Sequence, residues 1–382
     1  MNLRWLLFSA LAFASPQLSA AENYQADIVV YGDSPSAISA AVEAKENGKD
    51  VLLVSPRKHL GGIIANGLGS QDVDQRAGNT QPIGGLTREF FLRVARQYDP
   101  TAKSPRYKFH SSKAEAAIDA WLAEKNIPVL RSKRLSEEDR AVSFKEQRIS
   151  SFRCEDGSVI SGKVFIDGTV EGDLMAAAGV GYTWGREGNA KYGETVGGVI
   201  LPTREQQFRV KVDPYQKPGD PGSGVIFGVQ NEAPGTHGEP DRSAMGFCLR
   251  LPLTKDPDNK IPITQPEGYD PADYELYRRF LAAGGSNNWL DGPGNKNNNP
   301  KAKLIDLGSW HELSGNYYGR NHGYPDGSYA ERDAIYEHHR SYTQGLIYFL
   351  SHDPSVPEKI RAEWSQWGLC ADEFTDNGGW PR

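Results

Sequence analysis

The clearest chemical pattern in the sequence is the tight turn GDSPSA at residues 32–37. Proteins bind a diphosphate on the spacing G-x-G-x-x-G, because its glycines permit a sharp turn, admit the phosphates and let a helix pack closely on a strand. Gly32 keeps the first position, the small Ser34 takes the second, and Ala37 is a tolerated substitute at the third. Pro35 removes a donor that has no partner in the first turn of a helix. Alone, this turn fits a dinucleotide site and a purely structural strand–helix–strand unit equally well.

The flanking residues predict the elements that position this turn. Residues 27–31 and 51–54 are short apolar runs, as in strands that are buried on both faces of a parallel sheet. Residues 36–47 carry apolar side chains on one helical face, and Gly48 ends that helix. Ser55 stands where an acidic residue ordinarily holds a ribose, so a hydroxyl would replace a charge-assisted hydrogen bond at a cost of about 1 kcal/mol.

Glycines cluster beyond the second predicted strand. Gly61 and Gly62 follow it closely, and Gly67 and Gly85 come later in the same stretch. Bare backbone of this kind allows a planar ring and a diphosphate to lie against the chain. A flexible surface loop is the alternative interpretation.

The segment between these glycines and residue 167 predicts a small antiparallel insertion. Residues 112–125 predict a helix and residues 129–132 a strand. The alternation of apolar and polar residues from 141 to 163 predicts three short strands with a hairpin turn at 155–157. Residues 164–167 then predict a buried closing strand.

The motifs HLGG at residues 59–62 and FIDGTVEGDLMAAAG at residues 165–179 resemble those of flavoproteins of the glutathione-reductase type. The sequence is most similar to the FAD-dependent oxidoreductase family whose members are sometimes labelled xanthan lyases, from about residue 24 onwards. This resemblance implies an α/β fold, with a Rossmann-like FAD-binding domain that contains a β-meander insertion and a mixed α+β substrate region after it. It also implies FAD as the cofactor.

The resemblance carries Thr169, Gly172 and Asp173 over as cofactor-binding or helix-start residues. Asp173 fits equally well as an ordinary N-cap of a helix through residue 178. The complete set of cofactor-binding residues that we expect is Gly32, Ser34, Pro35, Ala37, Ser55, Pro56, Gly61, Gly62, Gly67, Gly85, Thr169, Gly172 and Asp173.

Residues 1–21 have the anatomy of a secretory signal peptide, in which Arg4 precedes an apolar run and a small-residue cleavage site. That run is too short to span a membrane as a helix, so we expect Sec-type export to the periplasm or the medium. We expect the FAD-binding domain at residues 22–181 and a substrate or cap region at residues 182–382. In the family the chain continues further and returns to the cofactor domain, so a C-terminal truncation is also expected.

Composition argues against several partners. The 382 residues carry a net charge of −6 with scattered Lys and Arg, so we expect no nucleic acid partner. Three widely spaced cysteines without a C-x-x-C motif argue against a zinc or iron–sulfur site, and their pairing stays open. The polar loop at residues 291–303 has only one acidic residue to offer a calcium ion, so no metal is expected there.

A loop-rich stretch at residues 308–327 is the candidate substrate region, because it combines aromatic side chains with His and Arg. Such side chains suit a small polar ring such as a sugar. His311, Tyr318 and His322 are the candidate catalytic residues, and a structural loop pinned by its tyrosines is the alternative. His339 lies in a helical pattern and is expected at the surface.

The resemblance implies an exported enzyme that transfers a hydride from a small polar substrate to flavin N5. Because NAD(P)H should be scarce outside the cytoplasm, we expect oxygen, a quinone or a redox protein as electron acceptor. Two alternatives stay open. One is a polysaccharide lyase with a Tyr or His base in residues 308–327. The other is a truncated remnant without catalytic activity.

Overall fold

The computed structural model describes residues 22–71, 73, 82–201, 207–285, 290, 301, 303–308 and 312–382. The predicted signal peptide and His311 lie outside these residues. In the described part of the chain, no helix has the length and apolar composition needed to cross a bilayer. The same part of the chain contains no group of three or more His, Cys, Asp or Glu placed to hold a metal ion.

The first unit is built on a six-stranded mixed sheet. Its strands are β1 (Asn23–Tyr31), β2 (Val51–Val54), β3 (Val129–Leu130), β4 (Val142–Lys145), β5 (Arg148–Arg153) and β6 (Val159–Asp167). In space they follow the order β3-β2-β1-β6-β5-β4. Strands β3, β2, β1 and β6 are mutually parallel, whereas β5 and β4 run antiparallel to their neighbours. Every residue of β2 is buried, as its continuous apolar run predicts.

This arrangement confirms the α/β fold with a Rossmann-like parallel half and a β-meander. Two details of β6 differ. The third meander strand and the predicted closing strand are one continuous strand, β6, and residues 164–167 are not buried as predicted, since Val164 is exposed and the other three are half-buried. The first residues of β6 pair with β5, and the strand pairs with β1 along its length. The long parallel ladder keeps both strands extended, so β1 begins at Asn23 rather than at residue 27.

Helices complete the first unit and enclose its core. They are α1 (Pro35–Glu46), α2 (Gly85–Arg96), α3 (Ser111–Glu124) and α4 (Asp173–Ala177). The short helix α5 (Asn189–Tyr192) follows them in the chain and has no buried residue. Successive residues of β1 and β2 point to opposite faces of the sheet. Val30 and Leu53 join the core cluster that includes α1 and α3, whereas Tyr31 and Val54 join the cluster on the meander side.

The second unit combines a four-stranded antiparallel sheet with three helices. Its strands are β7 (Leu251–Thr254), β8 (Lys260–Ile261), β9 (Lys303–Leu307) and β10 (Gly368–Cys370), in the order β8-β10-β7-β9. Its helices are α6 (Glu275–Ala282), α7 (Tyr329–His352) and α8 (Glu358–Trp364). Helix α7 begins with a capping box in which Ser328 and Glu331 satisfy each other's backbone N–H groups.

His339 on α7 is buried, with 1% of its surface exposed, so the prediction of a surface position is wrong. Its ring stacks on Phe247 with 4.2 Å between ring centroids, and its Nδ1 lies 2.8 Å from the carbonyl oxygen of Ile335. Burial lowers the pKa of His339, which favours a neutral ring. The sequence pattern of α7 could not reveal the burial of His339, because Phe247, which covers its ring, lies about ninety residues earlier in the chain.

The last described residues return to the first unit. Glu373 accepts hydrogen bonds from the backbone N (3.0 Å) and the Oγ (2.7 Å) of Ser112 at the start of α3. The backbone N of Arg382 donates to Oδ1 of Asn66 at 2.6 Å. The two units are therefore in direct contact near the carboxyl ends of the parallel strands.

Candidate functional site

A cleft of about 600 Å³ opens beyond the carboxyl ends of β1, β2 and β6. Strand β1 has β2 on one side and β6 on the other, so the cleft lies at a topological switch point of the parallel sheet. Open parallel sheets bind their ligands at such points. Of the residues that we expected to bind a cofactor, Pro56 and Gly62 line this cleft.

Gly32 ends β1 at a very close approach to the loop after β6. Its φ is +142°, and a Cβ atom there would lie 2.3 Å from the carbonyl carbon of Gly168. Gly168 in turn faces α1, since a Cβ on it would lie 2.6 Å from the Cβ of Ala37. The close packing of helix on strand that a third fingerprint glycine would permit is therefore provided by Gly168 on the facing loop.

Ser34 is the N-cap of α1 and occupies the second fingerprint position. Its Oγ accepts a hydrogen bond from the backbone N of Ala37 (3.2 Å) and donates to the carbonyl oxygen of Gly168. Pro35 follows as the first helical residue and is exposed. The Ser34 hydroxyl thus links the turn to the loop after β6. Its hydrogen bonds are made to the protein's own backbone.

The glycine doublet after β2 lies against this turn. The backbone N of Gly61 donates to the carbonyl oxygen of Asp33 at 2.7 Å. A Cβ on Gly62 would be 3.5 Å from the Cα of Ser34. Two loops with little side-chain bulk therefore meet beside the first turn of α1, and a helix start of this kind favours anionic groups.

The loop after β6 is held by Thr169. The Thr169 Oγ1 donates to Oδ1 of Asp167 (2.7 Å) and accepts from the backbone N of Gly172 (2.9 Å) and of Asp173 (3.0 Å). Gly172, in the left-handed region, is the N-cap of α4, so Asp173 is not that cap. The carboxylate of Asp173 instead accepts a hydrogen bond from Nη1 of Arg332 at 2.7 Å.

Several of the expected cofactor residues have structural contacts away from the cleft. Ser55 is fully buried, and its Oγ donates to the carbonyl oxygen of Arg57 (2.6 Å) and accepts from the N of Arg57 (3.1 Å). A Cβ on Gly67 would lie 2.1 Å from the carbonyl oxygen of Arg250. The lack of a side chain at Gly67 therefore allows the two units to pack closely there. Gly85 is exposed at the start of α2, with no atom within 4 Å of an added Cβ.

The candidate catalytic residues do not come together at the cleft. Tyr318 bonds to Nδ2 of Asn316 (2.9 Å), and Nδ1 of His322 accepts from the backbone N of Ala244 (3.1 Å). Neither side chain lines the cleft, and His311 lies outside the described residues. These contacts match the alternative of a structural loop.

Tyr324, from the same aromatic stretch, does line the cleft and forms its outer wall. Its hydroxyl donates to Oε1 of Glu171 at 3.3 Å, and its carbonyl oxygen accepts from Nε of Arg332 at 3.0 Å. Burial raises the pKa of Tyr324, so its hydroxyl stays protonated near neutral pH. Phe247 packs edge-on to Tyr324 with 6.1 Å between centroids and adds an apolar surface.

Asp33 and Arg57 are among the charged residues of the cleft that sequence reasoning missed. Asp33, the residue between Gly32 and Ser34, is 7% exposed, and burial raises the pKa of its carboxyl group. Nε of Arg57 lies 3.6 Å from Oδ2 of Asp33. The position of Asp33 inside the fingerprint turn was a signal for it, whereas Arg57 could have been found only by its closeness to the end of β2.

Charged residues from both units meet at the rim of the cleft. The imidazole of His59 lies between Glu115 (Nδ1 to Oε1, 2.5 Å) and Asp376 (Nε2 to Oδ2, 2.8 Å). Lys58 and Arg382 also donate to Asp376. These donors lower the pKa of Asp376, with the hydrogen bond from Lys58 as the largest cause.

The residues at the strand ends fit a dinucleotide. Gly32 lets the loop after β6 approach the turn closely, and Gly62 presents bare backbone to the cleft beside the start of the twelve-residue helix α1. The adenosine end differs from the usual pattern, because Ser55 is turned inward and Arg57 and Lys58 follow β2 in the cleft. The charged groups at this end of the cleft are therefore Arg57 and Lys58, each beside a carboxylate, Asp33 and Asp376.

Comparisons with known proteins agree with this geometry. The sequence matches the model of a family described as FAD dependent oxidoreductase over residues 27–381. No curated protein matches the sequence.

Similar solved structures include a flavin-containing monooxygenase from Stenotrophomonas maltophilia, at 20% identity over 44% of this chain and 43% of its own, with a TM-score of 0.28. L-proline dehydrogenase from P. horikoshii is 14% identical over 44% of this chain and 59% of its own, with a TM-score of 0.32. The matched region spans less than two thirds of either protein, and the similarity concerns the fold alone.

Proposed function

The chain belongs to the FAD dependent oxidoreductase family, and on that premise we propose that the cleft holds FAD and that the protein oxidises a small polar substrate. The observation that carries the proposal is the meeting of glycine-bearing loops at the ends of β1, β2 and β6. There Gly62 presents bare backbone to the cleft beside the start of α1, and the close approach of Gly32 to Gly168 brings the loop after β6 against this turn.

FAD, when bound, supplies a flavin that accepts a hydride from a substrate C–H bond. The chain's own residues bind FAD and the substrate and orient them. The start of α1 and the bare backbone at Gly62 face the diphosphate, while Phe247 and Tyr324 close the outer wall and restrict water. Tyr324 and Glu171 replace Tyr318 and His322 as the groups that we propose to hold a substrate proton, since their side chains are hydrogen-bonded within the cleft.

A glutathione-reductase-type arrangement is the subclass that we propose, supported by the order β3-β2-β1-β6 and the meander. We also propose the division into an FAD-binding domain at residues 22–181 and a substrate region at residues 182–382, supported by the two separate sheets. The xanthan lyase label has less support, because Tyr318 and His322 make loop contacts instead of lining the cleft.

Export through a signal peptide at residues 1–21 is part of the proposal and rests on the residue pattern of that segment. In an exported enzyme we expect oxygen, a quinone or a redox protein to reoxidise the flavin. N-terminal sequencing of protein secreted by the producing cell should begin near residue 22. Rapid reduction of the flavin by NADH would contradict the proposed acceptors.

The proposed function is tested by adding FAD to the purified protein and recording its visible spectrum after gel filtration. We expect flavin absorption to elute with the protein, and anaerobic addition of sugars or sugar alcohols to bleach it for the right substrate. Protein that elutes colourless at every FAD concentration would contradict the proposal.

A further inference from the structure

An acidic side chain lies at the point where the proposed cofactor brings its own negative charge. Asp33 stands between Gly32 and Ser34 in the turn at the start of α1, is almost fully buried and lines the cleft. A diphosphate beside this turn would be close to the Asp33 carboxylate. Two like charges in a buried place disfavour each other's ionisation.

One cation reaches Asp33 from the neighbouring loop. Arg57 follows β2, places its Nε 3.6 Å from Oδ2 of Asp33, and keeps about half of its side chain exposed. The guanidinium of Arg332, by contrast, is already bound by Asp173 and by the carbonyl oxygens of Tyr324 and Pro325. Arg57 is therefore the partly exposed cation that pairs with Asp33 at this end of the cleft.

We propose that Asp33 and Arg57 form a proton-coupled switch for the cofactor's diphosphate. When FAD binds, the Arg57 guanidinium moves from the Asp33 carboxylate to the diphosphate, and the carboxylate takes up one proton from solvent, which forms an O–H bond. No other bond forms or breaks. This inference rests on the proposed function, because it requires a diphosphate at the start of α1.

The surroundings of Asp33 favour such a proton. Burial raises the pKa of its carboxyl group, and the pairing with Arg57 opposes that rise. Loss of this pairing and the arrival of a diphosphate both push the pKa further upward. The helix start of α1 favours the ionised form. The charged or titratable groups that face this corner from the other elements are Arg57, Glu171, Asp173, Tyr324 and Arg332.

The test is isothermal titration of the FAD-free protein with FAD in buffers of different ionisation enthalpy, from about pH 5 to about pH 9. We expect uptake of about one proton per FAD where Asp33 is ionised in the free protein, and a Kd that weakens about tenfold per pH unit in that range.

Asp33→Asn should bind FAD without proton uptake and with a Kd that does not change with pH. Asp27→Asn is the matched control, because Asp27 is a carboxylate on β1 that pairs with Lys163 (2.7 Å) and does not line the cleft. Its proton uptake should equal that of the wild type. Arg57→Gln should weaken FAD binding about tenfold and also lower the proton uptake, since loss of the guanidinium raises the pKa of Asp33 in the free protein.

The outcomes separate this inference from the proposed function. Wild-type protein that binds FAD without proton uptake at any pH overturns the switch and leaves the proposed function standing. Protein that binds no FAD overturns both. If Asp33→Asn does not fold, the wild-type titration alone decides whether FAD binding takes up a proton. An Asp33→Asn protein that binds FAD more weakly than the wild type at high pH also overturns the switch.

Discussion

The inner wall of the cleft, at the strand ends, is stabilised by close steric packing. Its outer wall and rim are stabilised by ion pairs and charge-assisted hydrogen bonds. At the inner wall, Gly32, Gly168 and Ala37 approach so closely that added methyl groups would overlap. At the outer wall, Arg332 bonds to Asp173, and at the rim several donors converge on Asp376. Steric contacts of the first kind should not respond to salt, but the more exposed ion pairs at the rim should.

The origin of each wall explains this difference. The strand ends are positioned by a parallel ladder whose register is the same along β1 and β6, so backbone can meet backbone. Residues of the outer wall and rim come from other segments of the chain. Phe247 and Tyr324 lie before α7, Arg332 lies on α7, and Asp376 comes near the end. Long charged side chains can bridge such a distance and tolerate small changes in it, whereas close-packed backbone cannot.

The largest expected effect is that of Gly32→Ala. Its Cβ would lie 2.3 Å from Gly168, at a φ of +142° that side chains rarely adopt. We expect the free energy of unfolding to fall by about 3 kcal/mol, from overpacking and backbone strain together, and FAD binding to be lost. Urea denaturation and an FAD titration measure both effects.

Gly323→Ala is the control for that substitution, because no atom lies within 4 Å of its added Cβ and its φ is not positive. It should change stability by less than about 0.5 kcal/mol. A Gly32→Ala protein as stable as this control would disprove the steric account of the inner wall.

Arg332→Met tests the most buried ion pair of the outer wall. Both partners are about one-eighth exposed, so Asp173 would be left with an uncompensated charge. We expect a loss of about 2 kcal/mol in the free energy of unfolding. Arg153→Met, which breaks an exposed pair with Glu138 at 2.9 Å, should cost less than about 0.5 kcal/mol. Equal losses in the two variants would contradict the role of burial.

His110, at the contact between the units, should make stability depend on pH. Burial lowers its pKa to about 4, from an ordinary value of 6.5, with Lys303 as a further cause. The nearby Glu373, 3.9 Å from Nδ1, does not reverse this, because it is also 3.9 Å from Nζ of Lys303. The ring is therefore neutral in the folded protein and gains a proton on unfolding in mild acid.

The direction of the pH dependence follows from the difference between the pKa of His110 in the folded and in the unfolded protein. The stability associated with His110 is present above pH 6.5 and is lost as the pH falls towards 4, by about 1–2 kcal/mol at about pH 5. His110→Gln should remove this part of the acid sensitivity in urea unfolding at two pH values. Exposed His237→Gln should leave it unchanged. An acid sensitivity equal to that of the wild type in His110→Gln would contradict the assignment.

The smallest expected effect is that of Asp376→Asn at the rim. Its carboxylate is about one-third exposed, so the bonds from Lys58, His59 and Arg382 should contribute less than about 1 kcal/mol. The difference from the wild type should vanish at about 1 M salt, whereas the effect of Gly32→Ala should persist. A salt-independent loss in Asp376→Asn would remove the contrast between the two kinds of wall.

Local patterns predicted most of the first unit, since β1, α1, β2 and the meander each depend on residues near in sequence. They could not predict the contacts that join distant segments. Gly168 takes over the packing role of the missing third glycine from a position 131 residues after Ala37, and Gly67 faces Arg250 of the other unit. A glycine in a sequence indicates close approach but not which group approaches.

The site was predicted less completely than the fold for the same reason. Ser55 matched the position of a ribose ligand, but its hydroxyl is used within its own turn. Tyr324 lines the cleft while Tyr318 does not, although both come from one aromatic stretch. Which aromatic residue faces the cleft depends on where α7 and the loop after β6 place it, and that is a tertiary property.

The most direct test of the central claim is a crystal structure of the protein with FAD. The account predicts the diphosphate beside the start of α1, between the turn at Gly32 and the glycine doublet at Gly61 and Gly62, with Arg57 turned towards it. FAD bound elsewhere on the protein, or a diphosphate that makes no contact with these loops, would contradict it.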